Sequence, residues 1–88
     1  MPYIDQALRA RILELPLKDL VYQARTLKAG DLNFIISILL WGAFKDCPCY
    51  TKGNMVMGVL ESAKAEFYRR CLAPYEDQKI LEHGDIKL

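Results

Sequence analysis

Apolar residues recur at helical spacing along most of the chain. They predict a first helix from Gln6 to Leu15, with Asp5 as its N-cap. Pro16 either ends or kinks this helix, or lies in the first turn of the next one. The second helix is expected to end at Gly30. Its apolar stripe follows the i, i+3, i+4, i+7 pattern and consists of Leu17, Leu20, Val21, Ala24 and Leu27.

A third helix, from Leu32 to about Lys45 with Asp31 as its N-cap, is apolar on nearly every side. Its polar residues Asn33 and Ser37 lie one turn apart, where they either set the register of a helix–helix contact or line a ligand pocket. A helix that is apolar all round is a buried helix, and 88 residues offer little to bury it. We therefore expect self-association, with the candidate interface residues Phe34, Ile38 and Trp41.

The second half of the chain begins with a predicted loop from Asp46 to Gly53. A long helix capped by Thr51 or Asn54 then reaches about Leu72, and Pro74 opens a final helix that runs through Glu82 and ends at Gly84. The buried stripe predicted for the long helix consists of Val56, Val59, Leu60, Ala63, Phe67 and Cys71. The expected fold is a single all-α domain over residues 1–88, with 85–88 as a loose tail. It is a bundle of four to five helices around a buried central apolar helix, completed by homo-oligomerisation.

Composition narrows the class of protein. Of the residues, 52% are hydrophobic, and the net charge is only +1, so a nucleic-acid partner is not expected. The sequence predicts neither a signal peptide nor a membrane span, and its three cysteines indicate a reducing compartment. We expect a cytoplasmic protein that does not enter a membrane.

Arginine, tyrosine and carboxylate residues are dense around Pro74. One interpretation is an internal clasp, in which Glu66 pairs with Arg70 and an arginine reaches Glu76 across a helix corner. The other is a site for an anionic small molecule such as a nucleotide, at a subunit interface. The candidate ligand-binding residues are Tyr68, Arg69, Arg70, Tyr75 and Asn33.

Other chemistry finds little support in the sequence. The spacing of Cys47 and Cys49 is a poor match to a zinc site, with Cys71 and His83 far away in the chain. Cys71 is expected to be a small core residue. The arginines would keep Glu66 and Glu76 ionised, unlike a general acid. We expect no metal, no cofactor and no enzymatic activity.

Several segments of the chain form a specific combined pattern. They are Met1-Pro2-Tyr3-Ile4, Gly30-Asp31-Leu32-Asn33-Phe34, the run from Gly58 to Arg70, the run from Ala73 to Ile80, and Gly84-Asp85. With this pattern the chain resembles a family of small uncharacterised proteins of tailed bacteriophages, prophages and bacteria. The Cys47-Pro48-Cys49 loop is not part of that pattern. The resemblance implies a phage or prophage setting in a bacterial cell, and it carries no catalytic residues.

Two functions remain open at the level of the sequence. The first is a non-enzymatic homo-oligomer that sequesters a host nucleotide signal or inhibits a host defence protein. The alternative is a structural or accessory subunit in phage DNA metabolism or assembly, without a small-molecule ligand. An oligomer with an Arg/Tyr pocket would favour the first, whereas arginines that are all paired internally would favour the second.

Overall fold

The computed structural model describes residues 5–86, and every regular element among them is helical. The all-α prediction is confirmed. The elements are α1 (Gln6–Leu13), α2 (Leu17–Ala24), α3 (Ala29–Lys45), α4 (Tyr50–Phe67), a π-helical turn (Tyr68–Leu72) and α5 (Ala73–His83).

The predicted start of α1 is confirmed, because the Asp5 carboxylate accepts the Leu8 backbone N–H at 2.9 Å. The helix ends at Leu13, two residues before the predicted Leu15. Proline disfavours helical backbone at the residue before it, which accounts for the early end ahead of Pro16. Pro16 then directly precedes α2.

The boundary predicted at Gly30 is wrong. α2 ends at Ala24, and Gly30 lies in the first turn of α3, which starts at Ala29. Asp31 does cap α3, but from inside the helix, since its carboxylate accepts the backbone N–H of Lys28 at 3.3 Å. The acidic residue also suits the positive end of the helix dipole.

Helices α3 and α4 form a hairpin with a shorter loop than the sequence predicted. Neither Thr51 nor Asn54 caps α4; the cap is the Cys49 sulfur, which accepts the Lys52 backbone N–H at 3.4 Å. At the closed end of the hairpin, the Phe44 ring lies over Gly53, where an added Cβ would meet the ring at 3.5 Å. That distance is an ordinary van der Waals contact, so the Phe44 ring packs closely on α4 at Gly53 while leaving room for a methyl group.

Pro74 does not turn a corner, and the helix continues through it from Tyr50 to His83. A proline inside a helix removes one hydrogen bond and clashes with the carbonyl four residues earlier, here that of Arg70. The π-helical turn before Pro74 accommodates the missing hydrogen bond and the proline ring. In this turn the Ala73 N–H bonds to the Tyr68 carbonyl, one residue further back than in an α-helix. The predicted helix–Pro74–helix corner is thus a π-turn within one long rod.

The chain is open, and α3 is not buried within it; the expected burial of α3 by self-association stays a prediction. None of residues 5–86 is buried, and on α3 Phe34 is 63% and Trp41 71% exposed. In the predicted stripe of α4, Val56 and Leu60 are half-buried, while Phe67 and Cys71 are exposed. Helix α1 packs on α2 and α3 on α4, and no third layer covers these pairs within residues 5–86. The residues from 5 to 86 therefore form no buried interior on their own.

Glycine substitutions test the end of α5. Gly84 has φ 87° and ψ 159°, backbone that side chains other than glycine rarely adopt. We expect Gly84→Ala to lower the free energy of unfolding by about 1–3 kcal/mol. Gly58→Ala is the matched control: it lies within α4 with nothing within 4 Å of the added methyl, so it should stabilise by about 0.5–1 kcal/mol. Denaturant unfolding measures both, and equal effects would contradict the assignment of α5's end.

Candidate functional site

Four of the five residues predicted to bind a ligand lie on or just after the π-turn, and the fifth, Asn33, lies on α3. Tyr68, Arg69 and Arg70 belong to the turn itself, and Tyr75 and Glu76 lie in the first turn of α5. A π-turn inside an α-helix is frequently found at a functional position. Here the requirement to accommodate Pro74 fixes where that turn falls.

The ion pair at this turn is between Glu66 and Arg69. The Arg69 Nη2 atom lies 2.8 Å from both Glu66 carboxylate oxygens, and the Glu66 side chain is only 21% exposed. The predicted Glu66–Arg70 pair is wrong: Arg70 is exposed and bonds to neither Glu66 nor Glu76 in the described part of the chain. The π-turn begins between Glu66 and Arg70. The i,i+4 spacing of a regular helix, which would bring these two side chains together, therefore does not extend across it.

Glu76 also has a different partner from the one predicted. The Tyr68 hydroxyl, not an arginine, donates to its carboxylate at 2.9 Å across eight residues that include the π-turn. This hydrogen bond and the charge of Glu76 raise the pKa of the Tyr68 phenol, with smaller contributions from desolvation and Asp77. Tyr68 therefore remains a neutral hydrogen-bond donor near pH 7 and does not serve as a phenolate. The predicted Glu66–Arg70–Glu76 clasp is thus replaced by two separate contacts, Glu66 with Arg69 and Tyr68 with Glu76.

Tyr75 and Asn33 lie outside this network. Tyr75 is 58% exposed, with the Lys79 ammonium 5.4 Å from its ring centroid. Asn33 is on α3, where its side-chain oxygen accepts the Ser37 hydroxyl at 3.2 Å. The predicted polar stripe of α3 is thus paired within its own helix, and no described contact joins Asn33 to the π-turn.

A cavity of about 470 Å³ lies beside Tyr68 and Glu76 and extends to the residues after α5. Its charged lining is acidic apart from Lys79, because Asp77 and Asp85 join Glu76, and neither arginine of the cluster lines it. An anion would therefore not be held by this cavity in one chain.

The thiols and the histidine form no centre. Cys47, Cys49 and Cys71 are free and exposed, which corrects the expected burial of Cys71. Within residues 5–86 no three metal-ligating side chains come together. His83, in the last turn of α5, lies 3.8 Å from Glu82. Nor is any helix of residues 5–86 long and apolar enough to cross a bilayer.

The raised pKa of Tyr68 gives a pH prediction. A group whose pKa is higher in the folded than in the unfolded state stabilises the folded state, and its full contribution is present at any pH below its unfolded pKa. The Tyr68 contribution should be present at neutral pH and lost as the pH rises through the folded pKa, above the ordinary tyrosine value of about 10. Glu76→Gln should lower the Tyr68 pKa in a tyrosine-resolved NMR titration. Glu82→Gln, on the same helix without contact to Tyr68, is the control, and an equal shift in both variants would contradict the assignment.

The comparisons with known proteins identify a family without a function. No curated protein and no solved structure matches the chain. One family model, described as a domain of unknown function (DUF6899), matches residues 1–86. That match includes the Met-Pro-Tyr-Ile start, whose residues 1–4 lie outside those that the structure describes. The chain therefore belongs to the family of the domain of unknown function DUF6899.

Proposed function

We propose that the protein is a non-enzymatic binding protein that works as a homo-oligomer in a phage-infected or prophage-carrying bacterial cell. It would sequester an anionic nucleotide signal or inhibit a host protein. The observation that carries the proposal is the open architecture of the single chain, whose most apolar helix is largely exposed.

The size of the exposed surface supports association. The chain exposes 8173 Å², whereas a compact monomer of 10.1 kDa would expose roughly 5,300 Å². Its radius of gyration is 16.8 Å, against about 12 Å for a compact chain of this length. The excess is roughly 2,900 Å² per chain, so two copies together carry roughly 5,800 Å², at the upper end of the total area that permanent interfaces bury. Such an interface would supply the core that one chain lacks.

The distribution of charge supports a second copy as the partner. Five basic and three acidic residues lie between positions 5 and 28, whereas one basic and four acidic residues lie between 73 and 86. The two ends of the molecule therefore attract each other across copies, and the net charge of +1 gives little overall repulsion. The apolar α3 residues Phe34, Ile38 and Trp41 are 63%, 47% and 71% exposed and would form the contact.

The anionic ligand is supported by Arg70. This guanidinium is exposed and lacks a carboxylate partner among the described residues, and Tyr75 on the next turn offers an exposed ring. Arginine binds phosphate through paired N–H groups, and tyrosine stacks on a nucleobase. A symmetric oligomer repeats both groups in each subunit, so a site between subunits would gain the cations that the acidic cavity of one chain lacks.

One observation favours the alternative, a structural or accessory subunit in phage DNA metabolism or assembly. Most charges of the cluster are satisfied within the helix, through Arg69 with Glu66 and Tyr68 with Glu76. In that case the cluster only stiffens the helix around Pro74. The role of Arg70 differs between the two functions. It binds the anionic ligand in the first, whereas in the alternative it contacts no ligand.

Self-association is tested by light scattering coupled to size-exclusion chromatography, and by thermal unfolding over a range of concentrations. We expect a dimer or larger species, and a Tm that rises with protein concentration. Trp41→Glu should weaken association roughly 30-fold or more, as the loss of a central aromatic contact of about 2 kcal/mol does.

Lys45→Glu is the matched control. It replaces a residue that is already charged at the end of the same helix, so it should leave the oligomer mass measured by light scattering unchanged. A wild-type chain that stays monomeric and well folded at all concentrations would refute the homo-oligomer.

The ligand is tested by thermal shift against linear and cyclic nucleotides. A nucleotide that binds should raise the Tm of the wild type, and Arg70→Ala should abolish the shift while the oligomer persists. Lys64→Ala removes an exposed cation of α4, outside the proposed contact, and should keep the shift. If no nucleotide shifts the Tm, or if Arg70→Ala binds as well as the wild type, the Arg70 site is wrong and the accessory role is favoured.

A further inference from the structure

The N-terminal arm, which we define as residues 5–24, is the least attached part of the molecule. It consists of α1 and α2, which pack on each other. Residues 25–28 connect it to α3 without helical structure. No extensive packing joins the arm to α3, α4 or α5 in the described structure. The arm is therefore a separate two-helix unit held mainly through its connection.

The arm carries an apolar surface that α1 does not cover. Leu17 and Leu20 of α2 are half-buried, whereas Val21 on the same stripe is 59% exposed. Further exposed apolar side chains of the arm are Leu13, Leu15 and Tyr22. An isolated helical hairpin of this size cannot bury enough apolar surface to be stable alone. The arm requires an apolar surface on which to pack.

Helix α3 offers such a surface. Its 17 residues hold no charge between Asp31 near the start and Lys45 at the end. One side packs on α4, and large side chains elsewhere on the helix, such as Phe34, Leu39 and Trp41, stay mostly exposed. An occupant of this surface must present an apolar stripe, because a charge placed on it would lose its hydration without a partner.

We propose that the arm of one copy packs on α3 of a second copy. The inference rests on the proposed homo-oligomer and specifies its contact. Every copy carries both uncovered surfaces, so two copies related by a two-fold axis can exchange arms and cover both at once. Exchange of a segment through a short connection is a low-cost route to a dimer. The excess basic charge of residues 5–28 would then approach the acidic α5 of the other copy.

The first test uses substitutions on α2. Val21→Asp should weaken self-association about 10-fold or more, because it places a carboxylate on the contact. Gln23→Asp adds the same group at an exposed polar position two residues away and should leave the dissociation constant nearly unchanged. Equal affinities for Val21→Asp and the wild type would overturn the arm contact. Val21→Ala, which adds no charge, gives the same comparison if Val21→Asp fails to fold.

The second test locates the contact. A photo-crosslinking phenylalanine analogue replaces Tyr22 in the full chain, and crosslinked peptides are read by mass spectrometry from separated monomer and dimer bands. We expect links from position 22 to α3 in the dimer band. Links to α3 confined to the monomer band, or links to another element, overturn the proposal. A dimer without α2–α3 links refutes only the arm contact, whereas a monomer by light scattering refutes the homo-oligomer as well.

Discussion

The structure depends on one constraint: the chain has more apolar side chains than its own helices can cover. Folding requires burial to offset the loss of conformational entropy, and a chain in which none of residues 5–86 is buried gains little of it. The hairpin of α3 and α4 and the pair of α1 and α2 each cover one side of their helices. The proposed second copy would let the remaining sides contribute to stability.

Pro74 is a second, local constraint that positions the charged cluster. Because the ring cannot follow a regular helical turn, the five residues before Ala73 widen into a π-turn, and the helix continues into α5. The same widening pairs Glu66 with Arg69 and brings the Tyr68 hydroxyl to Glu76, eight residues ahead. Arg70 is left exposed. The cluster is thus a consequence of how one proline is accommodated, and its pairing follows from that geometry.

Local signals in the sequence predicted the helices better than their ends. The Asp5 cap and the all-α class follow from spacing and capping rules that involve only neighbouring residues. The sequence does not indicate Cys49 as the cap of α4, because cysteine is an unusual capping residue. It predicts a helix end at Gly30 because glycine usually follows a helix, whereas Gly30 lies in the first turn of α3. At the candidate site, the sequence singled out Glu66 and Glu76 as the carboxylates of the cluster, but their partners are Arg69 and Tyr68 and not the predicted ones. It could not assign Arg69 over Arg70, since a proline in the sequence is as compatible with a helix end or a kink as with the π-turn that Pro74 requires here.

The exposure of α3 within one chain bears directly on the proposed second copy. An all-round apolar sequence shows that a helix will be covered, but it does not show by which chain. Within one chain α3 is covered on the side of α4 alone. The N-terminal arm, which residues 25–28 connect to α3, has an apolar stripe without a surface to pack on. Every copy therefore carries both an exposed apolar helix and an exposed apolar stripe that could cover it. This favours exchange between two copies over a foreign partner, because assembly then needs no molecule other than the chain itself.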